Sequence, residues 1–201
     1  MKKLMLSWSL VLAVAGLMFV SCGKDKDDNK PEDPAESTFK DPRDGKVYKT
    51  IRIGNQTWFA ENLNYDLPSN IGSSACASDS CDKYGKMYPA DAALLACPKG
   101  WHLPSDAEWK LLEHNLGMTD ADTAKSESES RGVAEGVLKK MTIGGTSKFD
   151  IVLNADKIAE YWTSTKLSGS QYSRFFSGNT KNIYRELQGP GAYKSVRCLK
   201  D

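Results

Sequence analysis

The four cysteines Cys76, Cys81, Cys97 and Cys198 carry the chemistry that most constrains this chain. Thiolates ligate metals, and paired thiols form disulfides. The spacings are wrong for a zinc knuckle, and the only histidines, His102 and His114, do not complete one. In an oxidising compartment an even count reads as a disulfide framework, and four cysteines allow three pairings. The favoured one joins Cys76 to Cys81 around a small polar loop and Cys97 to Cys198 across the domain. The second closes about a hundred residues, which on the chain-entropy account is worth about 4–5 kcal/mol.

His102 has Asp106 and Glu108 nearby in sequence, a combination that could move protons. No nucleophile stands at a suitable spacing, so His102 reads as a structural, hydrogen-bonded residue. Asp79, Asp82 and the serines around them offer calcium-type oxygens, but without EF-hand spacing they read as a solvated loop. The expectation is therefore no catalytic residue, no metal and no cofactor.

The segment that must position these groups is Cys97–Trp109. Trp101, Leu103 and Trp109 are apolar anchors, Pro98 and Pro104 stiffen the chain between them, and Ser105 and Glu108 have capping-box spacing. A helix is predicted from Asp106 to about Leu116, with Gly117 just beyond it. Asp41-Pro42-Arg43-Asp44-Gly45 reads as a turn that opens the domain. Val47 to Ile53 alternates like a strand, Gly54-Asn55 is a two-residue hairpin turn, and Gln56 to Ala60 returns. Residues 62–83 form a long polar loop, Pro89 to Ala96 a short helix, and Thr119 to Arg131 a polar, partly helical excursion. Val133, Val137, Leu138 and Met141 suggest another helix, stopped at Gly144-Gly145. Strand patterns follow at 150–153, 161–165, 172–176, 183–187 and 192–199, separated by turn residues. Strands at both ends with helices between them define an α+β domain whose last strand returns to the first hairpin.

The N-terminus supplies the compartment. Lys2 and Lys3 precede an apolar run, Leu4 to Val20, that is short for a membrane span and suits a secretory signal over residues 1–21. Phe19-Val20-Ser21-Cys22 resembles a bacterial lipobox, which implies lipidation of Cys22 and a membrane partner through that lipid. Residues 22–38 are acidic and proline-containing with almost nothing apolar, the composition of a flexible tether, leaving 39–201 as the domain. The acidic start of that tether resembles tags on surface-exposed Bacteroidetes lipoproteins, so the expected location is the outer membrane, at the cell surface. Of 27 basic and 26 acidic residues, none form a basic block in the domain, so nucleic acid is not a partner.

Three groups of segments carry a family resemblance. Lys46 to Leu63, Tyr84-Gly85-Lys86-Met87-Tyr88 with Cys97 to Ser105, and Tyr161-Trp162-Thr163-Ser164-Thr165 with Ser195-Val196-Arg197-Cys198 resemble the Fibrobacter succinogenes major paralogous domain, in order and over the whole globular part. The family's core is similar to formylglycine-generating enzymes and, more distantly, to C-type lectins, which implies a C-type-lectin-like fold. Trp101, His102, Pro104, Ser105, Glu108, Trp109 and Trp162 belong to its structural motif. In a lectin-like fold the late strands present ligands, so Tyr172, Arg174, Tyr184, Arg185 and Gln188 are the candidate ligand surface. The late cysteine pair of the enzymes and the calcium loop of the sugar-binding lectins are missing here. The function expected is a non-catalytic, lipid-anchored binding or adhesion module for a glycan or an envelope protein. Two alternatives are a formylglycine-generating-like oxidase and a structural, fimbria-like subunit.

Overall fold

In the computed structural model of the protein, residues 36–76 and 80–201 are described. The signal run, Cys22, most of the tether and Asp79 lie outside them. The chain is α+β, with short helices set between two sheets. In order it runs β1 (Glu36–Lys40), β2 (Val47–Ile53), β3 (Gln56–Phe59), β4 (Ala75–Cys76), α1 (Cys81–Tyr84), β5 (Lys86–Pro89), α2 (Ala90–Ala93) and β6 (Trp101–His102). It continues with α3 (Asp106–Asn115), α4 (Asp120–Ala124), α5 (Val137–Met141), β7 (Ile158–Leu167), β8 (Ser170–Ser177), β9 (Asn182–Gln188), β10 (Tyr193–Ser195) and β11 (Leu199–Lys200). One sheet has the order β1-β2-β3-β11-β6, and the other β4-β5-β10-β7-β8-β9. All pairings are antiparallel except β10 with β7.

Neighbouring residues of a strand face opposite ways, and two strands use this to feed both halves of the core. In β3, Trp58 enters a cluster with Trp109, Phe149, Tyr161 and Phe176, while Phe59 enters one with Tyr48, Tyr88, Leu103 and Trp162. In β7, Tyr161 and Trp162 divide the same way. Trp162 donates its indole N–H to the Tyr88 carbonyl at 2.7 Å, so its one polar atom is satisfied within the core.

Helix α3 forms where the capping box places it. The Glu108 N–H donates to Ser105 Oγ at 3.2 Å, and the Ser105 N–H donates to Glu108 Oε2 at 2.7 Å. Its far end closes with the Gly117 N–H on the His114 carbonyl and the Met118 N–H on the Glu113 carbonyl, a Schellman arrangement around Gly117 at φ 98°. The inner face of α3 carries Asp106, Trp109, Leu112 and Glu113, all buried. The two carboxylates meet three arginines. Arg174 on β8 donates to Asp106 at 2.6 Å and to Glu113 at 2.7 Å. Arg185 on β9 donates to Asp106 at 2.9 Å, and Arg131 donates to Glu113. Burial works against the charge of Asp106, but Arg174 and Arg185 outweigh it and hold the carboxyl below its ordinary range.

Both disulfides form in the favoured pairing, with Cα atoms 5.0 Å apart for Cys76–Cys81 and 5.8 Å apart for Cys97–Cys198. The hairpin, the capped helix and the return of the last strand to β3 appear as expected. Several elements differ. Strand β1 starts at Glu36, inside the stretch read as tether, because it needs only the free backbone edge of β2; its side chains stay exposed apart from Phe39. Strand β5 was not evident, and Pro89 ends it rather than opening the helix, so α2 starts at Ala90. The expected strand at 150–153 is reduced to one bridge from Ile151 to Thr142. Arg197 takes the carbonyls of Phe149 and Asp150, and Asp150 sits at φ 52°, so no ladder extends there. The strand expected at 192–199 divides into β10 and β11, which belong to different sheets. Gly136, at φ 62°, starts α5 late and leaves Val133 exposed.

Removing one member of a buried ion cluster strands the others without compensation, at a cost of about 3–5 kcal/mol. Glu113→Gln is therefore expected to lower the unfolding free energy in urea by that much, whereas Lys99→Gln, at an exposed position before β6, should change it by less than about 1 kcal/mol. Equal effects would mean that the cluster contributes nothing specific.

Candidate functional site

The late-strand residues expected to form a ligand surface do not share one. Arg174 lies opposite Arg185 across β8 and β9, and both point under α3 to Asp106. Arg174 is fully buried, so it belongs to the core rather than to a surface. Tyr172 is also buried on that face, donating its hydroxyl to Glu127 at 2.6 Å beneath the Arg185 guanidinium. Tyr184 and Gln188 fall on the other face of β9, where the Tyr184 hydroxyl accepts from Asn182 and the Gln188 amide donates to Glu186. Strand alternation separates the five, and internal partners occupy them.

The structural motif is placed as expected. Trp101 packs on Phe59 with ring centroids 4.5 Å apart, and Pro104 accepts the Ser164 N–H on its carbonyl. His102 sits between two carboxylates, Nδ1 2.7 Å from Asp201 and Nε2 3.1 Å from Glu108. Burial opposes its charge, yet the bonds to Asp201 and Glu108 prevail and raise its pKa above the usual histidine value. The Ser105 hydroxyl joins this group only through Glu108, to which it donates at 2.8 Å while accepting the Glu108 N–H as the cap of α3. Among the described residues, no three His, Cys, Asp or Glu side chains converge as a metal site requires.

A concavity lies elsewhere on the domain. A groove of about 490 Å³ opens between the start of β2, the segment after β3, α1 and the 143–152 loop. Its first wall carries Val47 and Lys49, its second Glu61, Asn62 and Asn64, its third Asp82, Lys83 and Gly85, and its fourth Ile143, Asp150 and Val152. Tyr48 and Arg197 lie beneath. A smaller cavity of about 80 Å³ adjoins it across Asn62 and Val152.

Asn62 organises the floor. Its Oδ1 accepts from Arg197 Nε at 2.8 Å and from the Tyr161 hydroxyl at 2.9 Å, while its Nδ2 donates to the Tyr84 carbonyl at 2.8 Å. Arg197 is fully buried without a carboxylate partner; its remaining bonds go to the carbonyls of Phe59, Phe149 and Asp150. Burial draws its pKa down. Burial also pushes the Tyr48 hydroxyl up to about 12, so it stays neutral while accepting the Asn64 N–H. The α1 wall approaches closely because residue 85 is glycine. A Cβ there would lie 2.7 Å from the Asn62 Cβ and 2.8 Å from the Leu63 carbonyl oxygen. The Cys76–Cys81 disulfide closes the same wall, since Cys81 lines the groove.

None of these groove residues was singled out as a ligand residue in the sequence. The available signal was their place within the family segments: Asn62 lies in the first, Gly85 in the second, and Tyr161 and Arg197 in the third. Segments far apart in the chain converge on one floor.

The fold and site together define a small, doubly disulfide-tied, two-sheet α+β domain with a polar groove on its surface. The chain belongs to the Fibrobacter succinogenes major domain family, whose model matches residues 51–200. It has no significant match among curated proteins or among solved structures.

The histidine bridge gives a pH signature. A histidine whose pKa is raised by folding stabilises fully below its unfolded value of about 6.5, and the contribution is lost as pH rises through the folded value. Urea midpoints are expected to fall from about pH 6 towards about pH 8.5, and His102→Gln should flatten that fall. An identical slope in the variant would assign the titration to another group.

Proposed function

We propose that this protein is a non-catalytic, lipid-anchored envelope protein whose single domain binds a glycan or another envelope protein in the groove. The observation that carries the reading is the groove itself. Its volume falls within the range of small-molecule sites, and its polar groups come from four separate segments onto a rigid floor. The C-type-lectin-like architecture belongs to the same proposal, supported by the final strand pairing with the first hairpin and by the Cys97–Cys198 link between the central motif and the C-terminal strand. The non-catalytic reading is supported by the state of Cys198, which is buried and bonded to Cys97 rather than held as a thiol. The membrane anchor, the outer-membrane location and surface display rest on residues 1–38 of the sequence, with Cys22 as the lipidated residue.

Two measurements test this reading. Cys22→Ser is expected to move the protein from the membrane fraction into the soluble fraction of its host, and retention of the variant in the membrane would remove the anchor from the account. Amide NMR of the full chain, titrated with envelope polysaccharide and envelope protein fractions, should show saturable shifts around Val47, Asp82 and Ile143. Shifts confined to other faces, or none from either fraction, would remove the groove as the functional site.

A further inference from the structure

We infer that the groove takes an uncharged, hydroxyl-rich ligand, a neutral oligosaccharide; this rests on the proposed reading of the groove as the binding site. The first reason is its charge balance. Of the four cations that line it, Lys46 is paired with Asp44 outside the groove, and Lys49 and Lys83, which have no ion pair among the described residues, with the buried Arg197 face three carboxylates, Glu61, Asp82 and Asp150. Equal and interspersed charges produce no net field to draw in an anion or a cation. They do supply donors and acceptors side by side, which a sugar hydroxyl uses because it both donates and accepts.

The second reason is the state of Arg197. A guanidinium is the group best suited to clamping a carboxylate or phosphate through two parallel bonds. Here Nε, Nη1 and Nη2 are all committed to protein oxygens, and the side chain has no exposed surface. The one guanidinium of the groove, which could have clamped an acidic ligand through two parallel bonds, is used to build the floor. The third reason is the backbone. An extended peptide binds by adding a strand to an open sheet edge, but β2 in the groove wall is paired by β1 from Val47 to Ile51 and by β3 from Thr50 onward, and at Lys49 the amide donates to the Glu61 carboxylate while the carbonyl accepts the Ala60 N–H.

Two features fit a sugar directly. Val47 and Ile143 are 58% and 64% exposed at the groove, giving apolar contacts for the C–H face of a ring. Asn64 also lines the groove, and its buried Oδ1 has no hydrogen-bond partner, leaving an acceptor for an incoming hydroxyl.

The test titrates the full chain with neutral cello-, malto- and manno-oligosaccharides, with oligogalacturonate and with an uncharged peptide, following amide shifts and heat. At least one neutral oligosaccharide is expected to bind saturably with shifts at the groove. Its affinity should change less than about twofold between about 0.05 M and 0.5 M salt, since no net charge is screened. Asp82→Ala should weaken it about tenfold by removing a charged acceptor. Ile143→Asp should weaken it comparably, with each variant's melting temperature confirming that it folds. If oligogalacturonate or the peptide binds at the groove and the neutral sugars do not, the ligand class is wrong while the groove remains a binding site. If nothing in the panel binds there, the ligand class fails here; whether the broader reading fails too is decided by the envelope-fraction titration.

Discussion

The structure depends on two carboxylates placed seven residues apart on one helix. Asp106 and Glu113 lie on the buried face of α3, between and beside Trp109 and Leu112, and they are tolerable there only when Arg131, Arg174 and Arg185 arrive. Those arginines come from the segment before α5, from β8 and from β9. A mis-registered strand would leave a charge buried without its counterion, which costs far more than a displaced leucine. The cluster therefore sets the position of the helix on the sheet, and the aromatic packing around Trp109 fills the space that this position defines.

What could be read in the sequence was local. The Gly54-Asn55 hairpin, the Ser105–Glu108 box and the Gly117 stop are each encoded within a few residues, and each formed as written. The cysteine pairing was legible because only three arrangements exist. Elements that depend on distant partners were not legible. Strand β1 has no pattern of its own and exists because β2 offers an edge. The segment at 150–153 has strand periodicity, but Arg197, nearly fifty residues later in the chain, takes its carbonyls. The late-strand ligand surface failed for a related reason. Arg174 and Arg185 look like exposed polar strand residues until α3, whose Asp106 they serve, is laid over them, and Tyr172 is taken by Glu127 beneath the Arg185 guanidinium.

The groove shows the same dependence in reverse. Its walls come from residues unremarkable in sequence, and its floor is a hydrogen-bonded hub in which Asn62 joins Tyr84, Tyr161 and Arg197. Asn62 satisfies buried polar groups and thereby fixes the shape of the surface above. The small disulfide acts on the outer side, holding α1 against a hub that only glycine at position 85 allows it to approach. On the proposed reading of the groove, stability and recognition are supplied by the same atoms, so changes beneath the groove and changes within it will be hard to separate by affinity alone.

The place of β11 has a consequence for the order in which the protein matures. Leu199 and Lys200 sit between β3 and β6, in the interior of their sheet, and Cys198 beside them seals the link to Cys97. The first hairpin can form as soon as it is made, but that sheet stays open until β11 follows, far later in the chain. Contacts of such long sequence separation form late and slowly. The core is thus completed only once β11 has been made, and until then the first hairpin waits with an open edge.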